Sequence, residues 1–216
     1  GAIKSRMYAE NIEKIKISIS DFEKYVPTEV LAERLITFKT DGITPRMFQY
    51  NLLKRAKSHK KHIVLPEGTD SRILIAAKQL TDQDAVEITL LGDKRQIMDK
   101  IAKLDLALDL EKVNLINPLE SSNFEDYAST LFQLRQHKNV DQIMARDLMT
   151  DVSYFGTMMV YKGHADGMVS GATHTTQHTI LPALQVIKTK PGVSLVSSVF
   201  FMCLPDRVVI FGDCAI

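Results

Sequence analysis

The sequence predicts an α/β fold in which helices cover both faces of a mostly parallel, doubly wound sheet, giving three layers. Two observations predict this fold. Short apolar runs alternate with amphipathic segments long enough for helices, from about residue 62 onward. These runs are continuously apolar, which is typical of strands buried on both faces. The 216 residues, 45% hydrophobic and 25% charged, suit a globular protein with a sizeable core.

The charged first forty residues predict a connector rather than a separate domain. Thr28, followed by Glu29 and then by spaced apolar residues, predicts a short helix with Thr28 as its N-cap. Another helix is predicted to start near Pro45. We therefore expect residues 1–42 to be a linker or the tail of an upstream region, and residues 43–216 to form the α/β domain.

The next segments predict strands and helices in strict alternation. "HIVLP" predicts a strand, "EGTD" a turn, and "SRILIAAKQL" a helix with Ile73, Ala76, Ala77 and Leu80 on its core face. "VEITLLG" and "KVNLINP" predict the second and third strands. The charged helix "DKRQIMDKIAKL" lies between them.

Two helices are predicted to follow. The first is "NFEDYASTLFQLRQHK", and the second is one continuous helix from about Val140 to Tyr161. A stripe at three- and four-residue steps predicts the core face of the second helix: Met144, Leu148, Val152, Phe155 and Met159. We interpret its methionines as flexible core packing rather than a ligand site.

The remaining apolar runs predict three more strands. "DGMVSG" predicts one, and "GVSLVSSVFFMCL" and "RVVIFGDCAI" predict two others joined by the turn "PD". Because the sequence stops directly after a strand, we expect a chain truncated before a second subdomain.

Composition argues against several classes of function. A net charge of +1 provides no general attraction for nucleic acid or an acidic membrane. The longest apolar run is too short to cross a bilayer, and no signal peptide is recognisable. Cys203 and Cys214 lie in or beside apolar runs, which predicts buried free thiols rather than a disulfide. We expect a cytoplasmic protein.

Small hydrogen-bonding residues cluster after the strand "DGMVSG". Residues 170–176, here called the hydroxyl loop, include Ser170, Gly171, His174, Thr175 and Thr176. Open α/β sheets bind ligands beyond the carboxyl ends of their strands, where free backbone N–H groups favour an anion. The pattern predicts a phosphate-type site. Serine and threonine also cap helices and form turns without a ligand, so that alternative stays open.

Pro182 is expected in the first turn of the next helix, which puts the helix start near Leu181. His174 is taken as a lone loop histidine with no second histidine or cysteine at ligand spacing. We therefore expect no metal site.

The stretch "DGMVSGATHTTQHTILPALQVIKT" closely resembles a signature of phosphate acetyltransferases. "ITPRMFQYNLL", "IVLPEGTDSRILIAA", "QLRQHKN" and "SLVSSVFFMCLPDRVVIFGDCAI" extend the resemblance from about residue 43 to the end. Residues 1–42 resemble the segment that follows a regulatory region in long bacterial forms. Asp213 and Cys214 match a "GDCA" run that we expect to be structural.

The resemblance implies reversible acetyl transfer between coenzyme A and inorganic phosphate, with acetyl phosphate as the other partner. It implies direct attack of the coenzyme A thiolate, with no covalent enzyme intermediate, no metal and no cofactor besides coenzyme A and acetyl-CoA as substrates. A homodimer is also implied. The family's catalytic serine, arginine and aspartate are expected beyond Ile216, so the catalytic residues are unknown in this sequence and the chain alone is expected to be nearly inactive.

The resemblance also assigns binding residues. Ser170, Thr175 and Thr176 match the loop that faces acetyl phosphate. Arg135 matches an arginine associated with substrate anions, although a solvated arginine at a helix end is the plain alternative. Arg72 either binds coenzyme A phosphates or pairs with a nearby carboxylate of the "EGTD" turn.

One position departs from the family pattern. Leu181 stands where the family usually has an arginine, and leucine offers an anion no charge–charge contact. A phosphate butyryltransferase is the nearest alternative. A non-catalytic acetyl-CoA-sensing domain, like that of some malic enzymes, is another, and loss of this arginine would suit it.

Overall fold

The computed structural model of the protein describes residues 11–27, 29–30, 33, 43–212 and 214. The chain forms two compact units, Gly1–Thr44 and Pro45–Ile216. In the first unit, helix α1 spans Ile12–Tyr25 and buries no residue. The helix predicted to begin at Thr28 lies mostly outside the described residues, as does Asp213. The assignment of residues 1–42 as a linker stays a prediction.

The second unit begins with α2 (Pro45–Ser58) and then alternates strands with helices. Its first four strands are β1 (His62–Leu65), β2 (Glu87–Leu91), β3 (Val113–Ile116) and β4 (Gly167–Met168). Its further helices are α3 (Ser71–Asp82), α4 (Lys94–Lys103), α5 (Phe124–Arg135), α6 (Gln142–Met149), α7 (Val152–Tyr161) and α8 (Thr176–Val186). Short 3-10 turns occupy Leu110–Lys112, Pro118–Glu120 and Gln136–Lys138. In the described part of the chain, no helix has the length and apolar content that a membrane crossing requires.

The four strands form a parallel sheet in the order β3-β2-β1-β4. Ile63 of β1 pairs with Ile88 of β2 on one side and with Gly167 of β4 on the other. The chain therefore builds the sheet outward from β1 to β3 and then crosses back to β4. Such a reversal of strand order separates the loops that follow β1 and β4, and ligand crevices form at that point in open α/β sheets.

Apolar side chains cover both faces of the sheet. Val64 and Leu91 belong to one buried cluster, which includes residues of α5, α6 and α7. Leu65, Ile88 and Leu90 belong to a second cluster with residues of α3 and α4. Because successive strand residues point to opposite faces, this division places helices on both sides. The predicted three-layer, mostly parallel α/β fold is confirmed.

Two details of the predicted helices are wrong. The predicted helix from Val140 to Tyr161 is two helices, since the Asp151 side chain accepts hydrogen bonds from the amides of Ser153 and Tyr154 and starts α7 there. A capping carboxylate satisfies amides that a continuous helix would pair internally.

The core face of α3 is the second detail. It includes the predicted Ala77, and the predicted Ile73 and Leu80 pack partly buried against the same cluster, but the buried Leu74 and Thr81 were not predicted.

The last two strands form a separate antiparallel hairpin, β5 (Val199–Cys203) and β6 (Val208–Gly212). The turn at Pro205 and Asp206 joins them as predicted, although β5 starts later than the apolar run does. Every residue of β5 is exposed. Cys203 is exposed and Cys214 partly so, both free, and the prediction of buried thiols is therefore wrong.

Candidate functional site

The hydroxyl loop connects β4 to α8 at the carboxyl edge of the sheet. Helix α8 begins at Thr176, because the Thr175 hydroxyl accepts a hydrogen bond from the His178 amide at 3.2 Å and caps the helix. The predicted start near Leu181 is therefore wrong. Pro182 lies inside the helix, and the packing of buried Pro182 and Val186 against the core compensates for the missing proline N–H.

This helix start changes the meaning of Leu181. It is the sixth residue of α8 and its side chain is partly exposed. An arginine here would stand more than one turn from the amino end, so it would not reinforce a helix-end anion site directly. A guanidinium at position 181 would therefore not be a helix-terminal cation, contrary to the expectation from the sequence.

The backbone amides of the hydroxyl loop hold a carboxylate of the chain itself. Glu67 Oε2 accepts hydrogen bonds from the amides of Gly171 (3.1 Å) and Ala172 (2.8 Å). Glu67 Oε1 accepts from the amides of Thr173 (2.6 Å) and His174 (2.8 Å) and from the Thr173 hydroxyl (2.9 Å). We call these four amides, residues 171–174, the amide cradle. These amides were predicted to be free for a phosphate-type ligand, and the structure shows them occupied by Glu67 instead.

The Glu67 side chain is 2% exposed. Burial by itself raises the pKa of this carboxyl, but the hydrogen bonds from Thr173, His174 and Ala172 outweigh burial and lower the pKa to about 2. Glu67 is therefore an anion at physiological pH. Gly171 makes the arrangement possible, since its φ of 107° is one that residues with a side chain rarely adopt.

Arg72 pairs with a carboxylate of the "EGTD" turn, which was one of its two predicted roles. Its guanidinium donates two hydrogen bonds to Asp70, Nε to Oδ1 at 3.0 Å and Nη2 to Oδ2 at 2.9 Å. Nη2 also donates to the Ala172 carbonyl of the hydroxyl loop. Arg72 thereby ties the turn after β1 to the loop after β4, while most of its side chain stays exposed.

His174 has a partner that the sequence reasoning overlooked. The rings of His174 and His178 stack with centroids 4.6 Å apart, and these residues are one helical turn apart in sequence. His174 Nδ1 lies 3.0 Å from Glu67 Oε1, and His178 Nε2 lies 2.8 Å from Asp151 Oδ2. The pair bridges two carboxylates. Among the described residues, no group of three or more His, Cys, Asp or Glu side chains is arranged to hold a metal ion.

Several polar atoms near the loop are buried without a partner within the described residues. They include Ser170 Oγ and Thr179 Oγ1, and Thr179 lies beside Gly171. Buried polar atoms in proteins are nearly always hydrogen-bonded, so these hydroxyls retain unused hydrogen-bonding capacity beside the loop. Thr176 is exposed at the first position of α8, where helical amides lack internal acceptors.

Arg135 stands at the carboxyl end of α5, and its Nε is also buried without a partner within the described residues. Its charge acts on Tyr154, whose hydroxyl donates to Gln185 of α8 at 2.9 Å. Burial and Asp151 raise the pKa of Tyr154, and Arg135 opposes them. Arg135 is therefore linked to α8 through Tyr154, whereas Arg72 and His174 contact the hydroxyl loop or Glu67 directly.

A cavity of about 630 Å³ opens at the carboxyl ends of β1, β2 and β3. Glu67, Thr173 and His174 form part of its wall, and Lys100 of α4 contributes a cation. The size suits a small-molecule ligand or part of a larger one.

Glu67, Asp151 and His178 were not predicted as site residues. Each of them left a signal in the sequence. A carboxylate two residues after a buried strand marks Glu67, and "TDVS" contains the aspartate–serine pattern of an N-cap around Asp151. For His178 the signal was its spacing of four residues from His174.

The reversed strand order, the polar crevice and the cavity define an open α/β protein of the kind that binds small ligands at the carboxyl edge of its sheet. Residues 47–216 match the family model described as phosphate acetyl/butaryl transferase. The chain belongs to the phosphate acetyl/butyryl transferase family.

Relatives of known name agree with this membership. The chain is 55% identical over 203 residues to a phosphate acetyltransferase of Synechocystis sp., a match that covers 94% of this chain and 29% of that protein. It is 49% identical over 207 residues to one from Nitratidesulfovibrio vulgaris, covering 96% of this chain and again 29% of the relative. The chain thus spans under a third of the length of these two relatives.

Solved structures give the same picture. The EutD phosphotransacetylase from Staphylococcus aureus is 45% identical with a TM-score of 0.69, and the match covers 77% of this chain and 51% of that one. A phosphotransacetylase from Streptococcus pyogenes is 38% identical with a TM-score of 0.72, covering 79% and 52%.

Proposed function

We propose that this chain forms part of a phosphate acetyltransferase, which transfers an acetyl group reversibly between acetyl-CoA and inorganic phosphate to give acetyl phosphate and coenzyme A. The identity of 55% to a phosphate acetyltransferase across 94% of the chain carries the proposal. The position of the hydroxyl loop between β4 and α8 supports it, because open α/β sheets bind ligands beyond the carboxyl ends of their strands.

In the proposed reaction the coenzyme A thiol loses its proton, and the thiolate attacks the carbonyl carbon of acetyl phosphate. The new S–C bond forms, the C–O bond to phosphate breaks, and phosphate leaves with the bonding pair. Ser170, Thr176 and the first amides of α8 hold the phosphate as its negative charge grows, which lowers the barrier. Thr175 contributes by fixing the start of α8.

The remaining predicted residues have less direct parts in the proposal. Arg135 supplies a cation at the carboxyl end of α5 and is linked to α8 through Tyr154. Arg72 fixes the loop through Ala172 and Asp70. His174 contributes to the cavity wall and packs on His178. The base that takes the thiol proton is not assigned to a residue of this chain.

The test is an assay of the full-length natural protein that contains this chain. With acetyl-CoA and phosphate as substrates, we expect release of free thiol together with stoichiometric acetyl phosphate. Ser170→Ala should raise the KM for phosphate, whereas Ser129→Ala, an exposed serine of α5, should not. Absence of turnover with both acetyl-CoA and butyryl-CoA would refute the proposal. The isolated 216-residue chain should show almost no turnover.

The same assay separates the alternatives. A phosphate butyryltransferase would prefer butyryl-CoA. Butyryl has two methylenes more than acetyl, and each methylene in an acyl pocket is worth only about 1–3 kcal/mol, so both substrates need full kinetics. The non-catalytic acetyl-CoA sensor is the other alternative. A sensor would bind acetyl-CoA in calorimetry without any turnover. A cytoplasmic homodimer belongs to the proposal, and sedimentation tests the dimer.

A further inference from the structure

The carboxylate of Glu67 lies at the centre of the loop contacts, although Glu67 was not predicted as a site residue. Glu67 stands two residues after the end of β1, and its five hydrogen bonds reach four residues of a loop more than one hundred positions later. It is therefore the main direct connection between the two sides of the crevice at this edge of the sheet.

The amide cradle is an anion site by its own chemistry. Four consecutive N–H groups converge on the two oxygens of Glu67, an arrangement that elsewhere binds phosphate or carboxylate ligands. The site is filled from within, because Glu67 is buried and remains ionised through its low pKa of about 2. A second anion in the same place would meet full like-charge repulsion.

We propose that Glu67 is a positioning residue for the phosphate site. Its carboxylate acts as a built-in anion that fixes the amide cradle and keeps inorganic phosphate out of it, so that phosphate binds instead on Ser170, Thr176 and the amino end of α8. This inference rests on the proposed function.

The proposal explains two features of the crevice. Ser170 immediately precedes the amide cradle and Thr175 immediately follows it, so the cradle sets the direction of both. The hydroxyl and helix-end donors remain available because the carboxylate occupies only the amides of residues 171–174. A loop ordered before the substrate arrives loses less conformational entropy on binding.

The test compares Glu67→Ala with the wild type in the full-length protein. Hydrogen bonds to a charged group are strong, so we expect a rise of roughly tenfold or more in the KM for phosphate, with little change in the KM for acetyl-CoA. Sodium formate, a carboxylate small enough for the vacated space, should restore the KM for phosphate in Glu67→Ala. Sodium formate should leave the KM for phosphate of the wild type unchanged.

Asp166→Asn is the matched control. Asp166 is also a carboxylate that accepts a backbone amide, from His62 at 2.9 Å, but at the opposite end of β1. We expect its KM for phosphate to stay at the wild-type value. Two results would show a general structural effect and overturn the proposal. One is an equal rise in the KM for phosphate in Glu67→Ala and Asp166→Asn. The other is an equal rise in the KM for phosphate and the KM for acetyl-CoA in Glu67→Ala. If Glu67→Ala fails to fold, Glu67→Asp, which keeps the charge but is one methylene shorter, should show the same selective rise.

Hydrogen exchange separates this inference from the proposed function. Amides of the cradle should exchange faster in Glu67→Gln than in the wild type, while amides of β1 remain protected. Unchanged exchange at residues 171–174 would overturn the positioning role whatever the enzyme does. If the wild type makes no acetyl phosphate, the proposed function and the phosphate part of the inference fail together, and exchange still decides whether Glu67 fixes the loop.

Discussion

The burial of an ionised Glu67 predicts a specific dependence of stability on pH. The pKa of Glu67 falls from an ordinary value of 4.5 to about 2 in the folded chain. A difference of this size corresponds to roughly 3 kcal/mol of folding free energy at neutral pH. Because the folded pKa is the lower one, this stabilisation is complete above pH 4.5 and is lost as the pH falls toward 2. At pH 3 only about 1.4 kcal/mol of it should remain.

Glu67→Gln measures this contribution directly. The amide side chain cannot carry the charge and has only one oxygen for the two pairs of cradle amides, so two of them lose their acceptor. We expect the variant to be about 3 kcal/mol less stable than the wild type at pH 7. The gap should shrink by roughly 2 kcal/mol at pH 3. Equilibrium urea unfolding at both pH values, followed by circular dichroism, gives the two differences.

Glu87→Gln is the control for the change of acid to amide, since Glu87 is an exposed residue at the start of β2. Its stability should follow that of the wild type at both pH values. A gap between Glu67→Gln and the wild type that is the same at pH 7 and pH 3 would refute the reasoning. The reasoning would also be refuted if Glu67→Gln lost no more stability at pH 7 than the control Glu87→Gln.

Three further substitutions test the packing and capping around the site. Gly68→Ala would place a Cβ 2.6 Å from the Leu91 carbonyl oxygen, so we expect a loss of about 1–3 kcal/mol in urea unfolding. Asp151→Ala removes the cap of α7, and a loss of roughly 1–2 kcal/mol is expected, with faster amide exchange confined to the first turn of that helix. Tyr127→Phe removes the hydroxyl contact with His164 and should cost about 1 kcal/mol; no measurable loss would contradict the contact. Burial raises the pKa of Tyr127 to about 12, so its absorbance should not titrate below pH 11 in the folded chain.

Most of the fold was predictable because its signals are local. The apolar runs at β1, β2 and β3 are short and dense, and parallel strands buried on both faces produce such runs. The break between α6 and α7 was missed because the apolar stripe continues across it. A single capping side chain, Asp151, decides the break, and its effect depends on competition with helix propensity at that point.

The site was harder to predict because its key contact is not local. The sequence identified the hydroxyl loop and predicted a phosphate-type ligand at its amides, but the amides of residues 171–174 hold a carboxylate of the chain instead. Nothing within residues 170–176 indicates that Glu67, over one hundred positions earlier, supplies it. The predicted start of α8 near Leu181 was also wrong. The N-cap formed by Thr175 sets the helix start and outweighs the usual preference of proline for the first turn.

The hairpin β5–β6 has a practical consequence for handling the isolated chain. Neighbouring residues of a strand point to opposite sides. Val199, Phe200, Phe201 and Met202 are all exposed, between 39% and 52%, so the hairpin carries exposed apolar side chains on both faces. Contiguous surfaces of this kind adhere to one another in water. The 216-residue chain should therefore aggregate as its concentration rises, which light scattering measures. A charged substitution at Phe200 should raise the concentration at which aggregation begins.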